Sequence, residues 1–313
     1  MRICSLLPGA TEVVAALGLA DELVGISHEC DYPPEVRRKP VLVRSVIDAE
    51  RTASRDIDHR VRETLKQGDR LYALDEPLFT RAQPDLVITQ DLCQVCAITP
   101  HQLHRAIEAL PQAPRLLTLN PTTLADILAD VERIGSATGR EAEAFRLAAS
   151  LRARLESIRE RVASAQAQPT VVCLEWLDPL YAPGHWVPEM VAWAGGRNGL
   201  GRAGMPSERM SWQDVLAASP DVLIVMPCGF STSRAIQELE QLRPASLWPE
   251  WESLPAVKND RVFAVDSNSY FSRPGPRLVE GVALLAALCH PSLFGNTLPP
   301  GTARVHSRNH HAS

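Results

Sequence analysis

The chain has 313 residues, of which 45% are hydrophobic and 22% are charged, and its formal net charge at pH 7 is −5. That length is too great for one simple core and predicts two lobes of modest size, while the composition is that of a globular protein. The acidic balance excludes a nucleic-acid partner that needs a basic surface, and no run approaches the ~20 apolar residues that span a bilayer.

The N-terminus has the pattern of a strand from its first residues. The segment MRICSLLPGATE leaves no room for a charged n-region, an apolar h-region and a cleavage site. The sequence therefore predicts a cytoplasmic protein, or a periplasmic one if the true start lies upstream. The seven cysteines are odd in number and scattered, and in a reducing compartment they are predicted to be free thiols.

The first predicted elements lie in CSLLPGATEVVAALG, which begins at Cys4 and reads as an apolar strand, a Pro-Gly turn and a helix. A long polar stretch follows. The segment EPLFTRAQPDLVITQDLC (76–93) then predicts a short helix, a Pro-Asp turn, a buried strand and a cysteine, and PRLLTLN (114–120) adds another strand.

Residues 139–168 predict one long helix between the two halves of the chain. The segment 140–168 lacks Gly and Pro and is rich in Ala, Leu, Arg and Glu, which are strong helix formers. At 1.5 Å per residue such a helix spans about 40 Å. It is predicted to join an N-terminal lobe, residues 1–138, to a C-terminal lobe, residues 169–297, and residues 298–313 are predicted to be a disordered tail.

The second half repeats the pattern of the first. VVCLEWLDPLYAPGHWVPEMVAWAGG (171–196) again reads as strand, Pro-Gly turn and helix, SWQDVLAASPDVLIVMPC (211–228) as helix, Pro-Asp turn, strand and cysteine, and DRVFAVD (260–266) as a last strand. Strands that alternate with helices predict parallel sheets, so the fold class is α/β with two Rossmann-like lobes. The first half is about 40 residues longer, mainly within 28–75, and insertions of that length are typical of functional or flexible segments.

Because ligands of open α/β sheets bind beyond the carboxyl ends of the strands, a ligand cleft is predicted between the lobes. Three aromatic residues, Trp176, Tyr181 and Trp186, lie close together in one loop at such an end. Clustered aromatic rings indicate a flat ligand, and packing in the core is the alternative. Arg273, in SRPGPR, would meet a carboxylate or phosphate of the ligand, or lie on the surface.

The segments HEC (28–30) and DLCQVC (91–96) follow strands of the same lobe and are expected to approach each other. Together they offer His28, Cys30, Cys93 and Cys96, a set that suits tetrahedral zinc or iron. Three interpretations stay open: small buried thiols that pack, a metal site or contact with the ligand's own metal, and a redox pair or disulfide. His28 would itself be an axial ligand to cobalt or iron, or a hydrogen-bonded histidine at a strand end.

These residues and their order are similar to a known family. The chain resembles the class III periplasmic-binding-protein fold, in particular the vitamin B12-binding and iron-siderophore-binding components of bacterial ABC importers. The segments that carry the resemblance are SLLPGATEVVAALGLADELVGISHECDYPPEV, AQPDLVITQ, the linking helix, SWQDVLAASPDVLIV and SYFSRPGPRLVEGVALLAALC. The resemblance implies two lobes joined by one helix, little hinge motion and a large ligand held between aromatic side chains.

The resemblance also implies which residues contact the ligand and the partner. The ligand contacts implied are Pro8, Gly9, Ala10, Tyr32, Trp176, Tyr181, Trp186, Tyr270, Phe271 and Arg273. Exported members dock on permease arginines through one acidic residue on each lobe. The first-lobe match is Glu76, whereas neutral Gln213, with Asp214 beside it, stands at the second position.

The sequence thus predicts a binding protein without enzymatic activity, because it contains no P-loop, G-x-S-x-G or H-E-x-x-H motif. The expected ligand is a corrinoid such as cobalamin, or a related metal chelate, held in the cleft between the lobes. Two alternatives stay open: an ABC-importer component for vitamin B12 or an iron-siderophore, and a metal-thiolate enzyme or redox protein that uses Cys30, Cys93 and Cys96.

Overall fold

The structure is a computed structural model and describes residues 1–49, 51–91, 100–242 and 247–305. Strands and helices alternate through both halves of this part of the chain. The strands are β1 (Ile3–Ser5), β2 (Leu23–Ser27), β3 (Val41–Ser45), β4 (Tyr72–Leu74), β5 (Leu86–Thr89), β6 (Arg115–Thr118), β7 (Thr170–Leu174), β8 (Trp176–Leu177), β9 (Leu180–Ala182), β10 (Arg197–Asn198), β11 (Glu208–Arg209), β12 (Val222–Val225), β13 (Val262–Val265) and β14 (Thr302–Arg304).

The helices lie between these strands and on both faces of the sheets. They are α1 (Pro8–Ala16), α2 (Ser54–Lys66), α3 (Glu76–Ala82), α4 (Pro100–Glu108), α5 (Leu124–Thr138), α6 (Glu141–Val162), α7 (Val187–Trp193), α8 (Trp212–Ala218), α9 (Thr232–Leu242), α10 (Pro255–Lys258), α11 (Ser267–Tyr270), α12 (Leu278–Cys289) and α13 (Pro291–Phe294).

The first half forms a six-stranded sheet in the order β4-β3-β2-β1-β5-β6. Its strands are parallel except for β4, which pairs antiparallel with β3 at one edge. The central strands β1 and β5 are buried along their whole length. Their continuous apolar sequences follow from this position, since helices cover both faces of a parallel sheet.

The second half forms a five-stranded sheet in the order β10-β7-β12-β13-β14, with a small three-stranded sheet, β11-β9-β8, beyond β7. Strand β14 pairs antiparallel with β13, and Arg304 binds the carboxylate and carbonyl of Asp260. The prediction of a disordered tail from residue 298 is therefore wrong as far as residue 305, because the sheet edge orders the chain there. Residues 306–313 lie outside the described part.

The two halves repeat one another in detail, as the sequence predicted. The aspartate of each Pro-Asp turn accepts a hydrogen bond from the backbone N–H at the start of the neighbouring strand. Asp85 binds Arg2 N–H and Asp221 binds Thr170 N–H, each at 2.8 Å. The turn thereby aligns each following strand with the first strand of its lobe, which explains why both lobes use the same dipeptide.

Helix α6 joins the two halves and is 22 residues long, somewhat shorter than predicted. It begins after Gly139, which ends α5 in a left-handed conformation that glycine adopts easily. At its other end the Ser164 hydroxyl donates to Arg161 O, and Pro169 starts the next strand region. Its buried face is a regular stripe of Ala and Leu, including Ala148, Leu151 and Leu155.

One apolar core continues from the first lobe into the second along this helix. It includes Val14 of α1, Ile134 of α5, Leu151 of α6, Val171 of β7 and Val282 of α12, all of them almost fully buried. A shared core restricts relative motion of the lobes, because separating them would expose closely packed apolar surface.

The insertion in the first half packs on the other lobe. Helix α2 follows β3 of the first sheet, yet its Ile57 belongs to the second-lobe core together with Leu177, Phe230 and Val257. Ile47 and Val61 pack against the same core. The boundary predicted at residue 138 therefore describes the order of the chain, whereas the packing assigns α2 to the second lobe.

Candidate functional site

The segments that follow the strands of the two sheets face each other and form the candidate site. On one side the second-lobe loop before α12 lies directly on the start of α1. A Cβ atom on Gly9 would lie 2.2 Å from the backbone oxygen of Pro274, and one on Gly275 would lie 2.9 Å from Gly9 Cα. Only glycine permits this approach, so the two lobes touch backbone to backbone here.

A network of charged side chains surrounds this contact. Arg277 donates to both oxygens of Glu12, at 2.6 and 3.0 Å, and Arg273 donates to Asp31. Burial raises the pKa of Glu12, although the Arg277 guanidinium opposes that shift. The same guanidinium lies 4.2 Å from the centre of the Tyr32 ring. These contacts fix the orientation of Tyr32, which keeps 45% of its surface exposed.

Tyr270 lies on the second-lobe side of the same region and is half-buried. Burial raises the pKa of its phenol, with smaller contributions from Asp266 and from the Tyr32 phenol across the lobes. One aromatic ring from each lobe is thus partly open to solvent at this end of the cleft.

Two further predicted contacts, Trp176 and Tyr181, are both half-buried and both lie on the small sheet of the second lobe. Trp176 lies edge-on to Phe230 at 5.4 Å and donates its indole N–H to Ser54 O at 3.2 Å. Arg209 donates to the Tyr181 hydroxyl at 3.1 Å. The sequence placed both rings at the cleft but did not predict that the first-lobe insertion touches them.

Two predicted contact residues lie in the core instead. Trp186 and Phe271 are only 7% and 1% exposed, and the Trp186 indole N–H donates to Phe271 O at 2.7 Å. Both belong to the core that runs through the two lobes. Their burial favours the packing alternative that the sequence left open.

The remaining predicted contacts are mostly used between the lobes. Gly9 is buried beneath the 274–275 backbone and Ala10 lies in the apolar core, whereas Pro8 stays partly exposed. Arg273 is 6% exposed and paired with Asp31, so it is not a free surface arginine. Contacts between the lobes account for the glycine at position 9 and the arginine at position 273. Contact of these residues with a ligand stays a prediction.

Cys30 of the predicted metal set is buried in the structure. Its sulfur lies in the first-lobe core, 3.1 Å from Thr11 Oγ1, and burial raises the pKa of its thiol to about 12. His28 is half-buried beside Tyr72, with ring centres 6.1 Å apart.

Cys93 and Cys96 lie outside the described residues. Within residues 1–49, 51–91, 100–242 and 247–305, no group of three or more His, Cys, Asp or Glu side chains is arranged to hold a metal ion. In the same ranges, no helix is long and apolar enough to cross a membrane.

His185 lies in the same loop as the aromatic residues, although it was not among the site residues predicted from the sequence. His185 has φ 50°, a left-handed conformation that is uncommon outside glycine. Its N–H donates to Met205 O at 2.6 Å and its carbonyl accepts from Gly204 at 2.9 Å, while burial lowers the pKa of its imidazole. Its place within APGHW, between a Pro-Gly turn and a tryptophan, was the signal available in the sequence.

The resemblance matched two positions, Glu76 and Gln213, to the residues that dock on a permease. Each lies in the first turn of a helix, one on each lobe. Glu76 is exposed at the first position of α3, and Gln213 is exposed in the first turn of α8. The carboxylate of Asp214 binds the N–H and hydroxyl of Ser211, so it caps α8. The first lobe thus presents a carboxylate and the second a neutral amide at this position.

The chain is similar to known proteins in sequence and in fold. The chain matches the family described as "Periplasmic binding protein" over residues 3–269. It is 27% identical to the vitamin B12-binding protein of Vibrio cholerae over 291 residues, covering 90% of this chain and 86% of that protein. It is 26% identical to the ABC transporter substrate-binding lipoprotein YvrC of Bacillus subtilis, covering 94% of this chain and 81% of that one.

Two solved structures have the same fold. A periplasmic heme-binding protein from Pseudomonas aeruginosa superposes with a TM-score of 0.75 at 19% identity, covering 98% of this chain and 99% of the other. The periplasmic vitamin B12-binding protein BtuF of Vibrio cholerae superposes with a TM-score of 0.65 at 22% identity, covering 92% and 96%. The predicted fold class, two α/β lobes joined by one helix, is confirmed.

Proposed function

Because the chain belongs to the periplasmic binding protein family, we propose that it binds a large, flat metal chelate between its lobes as the substrate-binding component of an importer. The observation that carries the proposal is the set of partly exposed aromatic rings on facing segments of both lobes. These are Tyr32 on the first lobe and Trp176, Tyr181 and Tyr270 on the second. Large rings offer apolar area at small entropic cost, which suits a flat macrocycle.

We propose a corrinoid as the first candidate ligand. Its support is the similarity to vitamin B12-binding proteins along 90% of the chain. A heme is the second candidate, supported by structural neighbours that are named for heme. Both are metal macrocycles with flat faces and acidic or amide side groups, so the same aromatic rings serve either ligand.

The metal-thiolate enzyme or redox protein has no support from the residues or from the relatives. Cys30, one of its three required thiols, is buried in the first-lobe core against Thr11. The relatives are binding proteins of transporters. We therefore keep zinc or iron out of the proposal, except as the metal of the ligand itself.

The importer role implies a permease as the partner. Glu76 is the candidate contact on the first lobe, because it is an exposed carboxylate at a helix start. The relatives named as periplasmic proteins or lipoproteins favour a periplasmic location over the cytoplasmic one predicted from the N-terminus. In cells, Glu76→Arg is expected to lower corrinoid uptake while the purified variant binds ligand as before.

A titration followed by visible absorbance tests the ligand. Purified protein is mixed with cobalamin, cobinamide or hemin, and the spectrum and co-elution on gel filtration are recorded. We expect a saturable spectral change with at least one of them at a stoichiometry of one ligand per chain or an integer multiple. If all three show neither spectral change nor co-elution, the proposed function is wrong.

A further inference from the structure

The first-lobe insertion crosses to the second lobe and covers part of the candidate site. We call residues 52–66, which comprise α2 and the two residues before it, the strap. Both ends of the strap lead back to the first sheet, at β3 and β4. Its inward face, formed by Ser54, Ile57 and Val61, follows the helical spacing and packs on the second lobe.

Hydrogen bonds from Ser54 to the buried carboxylate of Glu238 hold the start of the strap, and we call this contact the latch. The backbone N–H and the hydroxyl of Ser54 both donate to one oxygen of Glu238, at 2.8 and 2.6 Å, and Glu238 is only 1% exposed. Arg234 pairs with the other oxygen at 2.7 Å and donates to Thr52 O at 3.0 Å. A carboxylate at the N-terminus of α2 also complements the helix dipole.

The rest of the attachment is weaker. Arg55 binds Asp178 and Arg209 binds Asp58, each at 2.8 Å, but both arginines are largely exposed to solvent. Exposed ion pairs contribute little to stability and are screened by salt. Helix α2 has 13 residues, a length at which an isolated helix is marginal. A segment with one buried latch and one deeply buried apolar side chain opens more easily than the core.

The strap contacts Trp176 and Tyr181, two side chains that the ligand is also proposed to contact. The Trp176 indole N–H donates to Ser54 O, and Asp58, at the next turn, contributes to raising the pKa of the Tyr181 phenol after burial itself. Arg209 lies 5.6 Å from the Tyr181 ring centre and links that ring to the strap. A ligand on these two rings therefore competes with the strap.

We propose that the strap is a displaceable cover: Ser54 and Glu238 latch it over Trp176 and Tyr181, and a ligand that enters the cleft releases it. The latch is a property of the protein without ligand. Only the release step rests on the proposed function, so the two parts can be tested separately.

Hydrogen exchange of the ligand-free protein tests the latch. Glu238→Gln removes the charge from the latch at constant volume, and Ser54→Ala removes one donor as a milder change. The matched control is Glu240→Gln, an exposed carboxylate on the same helix. We expect the amides of α2 to exchange on the order of tenfold faster in Glu238→Gln. Exchange in β7 and β12 should stay unchanged in all three variants.

The latch is refuted if α2 exchanges at the wild-type rate in both Glu238→Gln and Ser54→Ala. It is also refuted if β7 and β12 speed up together with α2 in Ser54→Ala, since the strap would then open only with the whole lobe.

Adding saturating cobinamide or hemin tests the release. We expect the bound probe to accelerate exchange in α2, and Glu238→Gln to bind the probe several-fold faster than wild type and Glu240→Gln. Unchanged or stronger protection of α2 in the saturated complex would show that the strap is a fixed wall. If neither probe binds, the proposed ligand class is wrong. The hydrogen exchange of the ligand-free variants still shows whether the latch exists.

Discussion

Arg277 of the second lobe and Glu12 of the first form a buried, two-pronged ion pair. Both carboxylate oxygens accept hydrogen bonds from one guanidinium, at 2.6 and 3.0 Å. The same guanidinium lies over the Tyr32 ring, 4.2 Å from its centre. Arg277 therefore joins the two lobes and also orients Tyr32, a proposed ligand contact. The stability of the contact between the lobes and the position of the Tyr32 ring thus depend on the same guanidinium.

Replacing Arg277 by Gln is expected to destabilise the protein by about 3–5 kcal/mol, because it leaves the Glu12 carboxylate buried without its partner. Urea unfolding followed by circular dichroism measures this change. The double variant Glu12→Gln/Arg277→Gln should recover part of the loss, since no uncompensated charge is then buried. Equal destabilisation of the single and double variants would contradict the argument.

Gly9→Ala is expected to push the lobes apart at their closest backbone contact. The new Cβ would lie 2.2 Å from Pro274 O, and a backbone atom cannot move aside as a flexible side chain does. We expect a loss of about 1–3 kcal/mol in the free energy of unfolding, the range for overpacking. Gly18→Ala is the control, because that site is open and costs only the strain of φ 78°. A free energy of unfolding for Gly9→Ala within ~0.5 kcal/mol of wild type would refute the contact.

Tyr32→Ala is expected to weaken ligand binding roughly tenfold, as loss of one aromatic contact does, and to lower stability by only about 0.5–1 kcal/mol, the contribution of its cation–π contact with Arg277. Phe145→Ala is the matched control, since Phe145 is 64% exposed and lies on the linking helix. Titrations with the probe that binds wild type give both affinities. Identical affinities for the two variants would remove Tyr32 from the site.

Much of the fold could be predicted because its signals are local. The Pro-Asp turns before β5 and β12 and the Gly-free, Pro-free run of α6 each determine an element from neighbouring residues alone. The strap could not be predicted in this way. Its amphipathic helix was hidden in a charged insertion, and Ile57 reveals its partner only through a core whose other members are more than 100 residues away.

The candidate site was predictable by region but not by residue role. A tryptophan at a loop has the same local sequence whether it faces a ligand or the core, and only the fold separates Trp176, half-buried, from Trp186, buried on Phe271. Cys30 shows the same limit. Its place after a strand suited a buried thiol as well as a metal ligand, and only the fold shows that the side chain points to Thr11 in the core.

The buried thiols predict a loss of stability at alkaline pH. Burial raises the pKa of Cys4, Cys30 and Cys289 from the ordinary value of 9.0 to about 12. Between those values the unfolded chain releases thiol protons that the folded protein keeps. The stabilisation is therefore complete below pH 9 and is lost as the pH rises towards 12. Each thiol contributes a slope of about 1.4 kcal/mol per pH unit in that window.

Urea unfolding at pH 8, 9, 10 and 10.5 measures the slope. Cys30→Ala should lower the slope by an amount that grows above pH 9 towards one thiol's full contribution, ~1.4 kcal/mol per pH unit, near pH 10.5, because the unfolded variant has one proton fewer to release. Cys228→Ala is the control, since Cys228 is exposed. We expect this variant to change the slope less than Cys30→Ala does, because it leaves every buried thiol in place. Parallel curves for wild type and Cys30→Ala would contradict the assigned burial of that thiol.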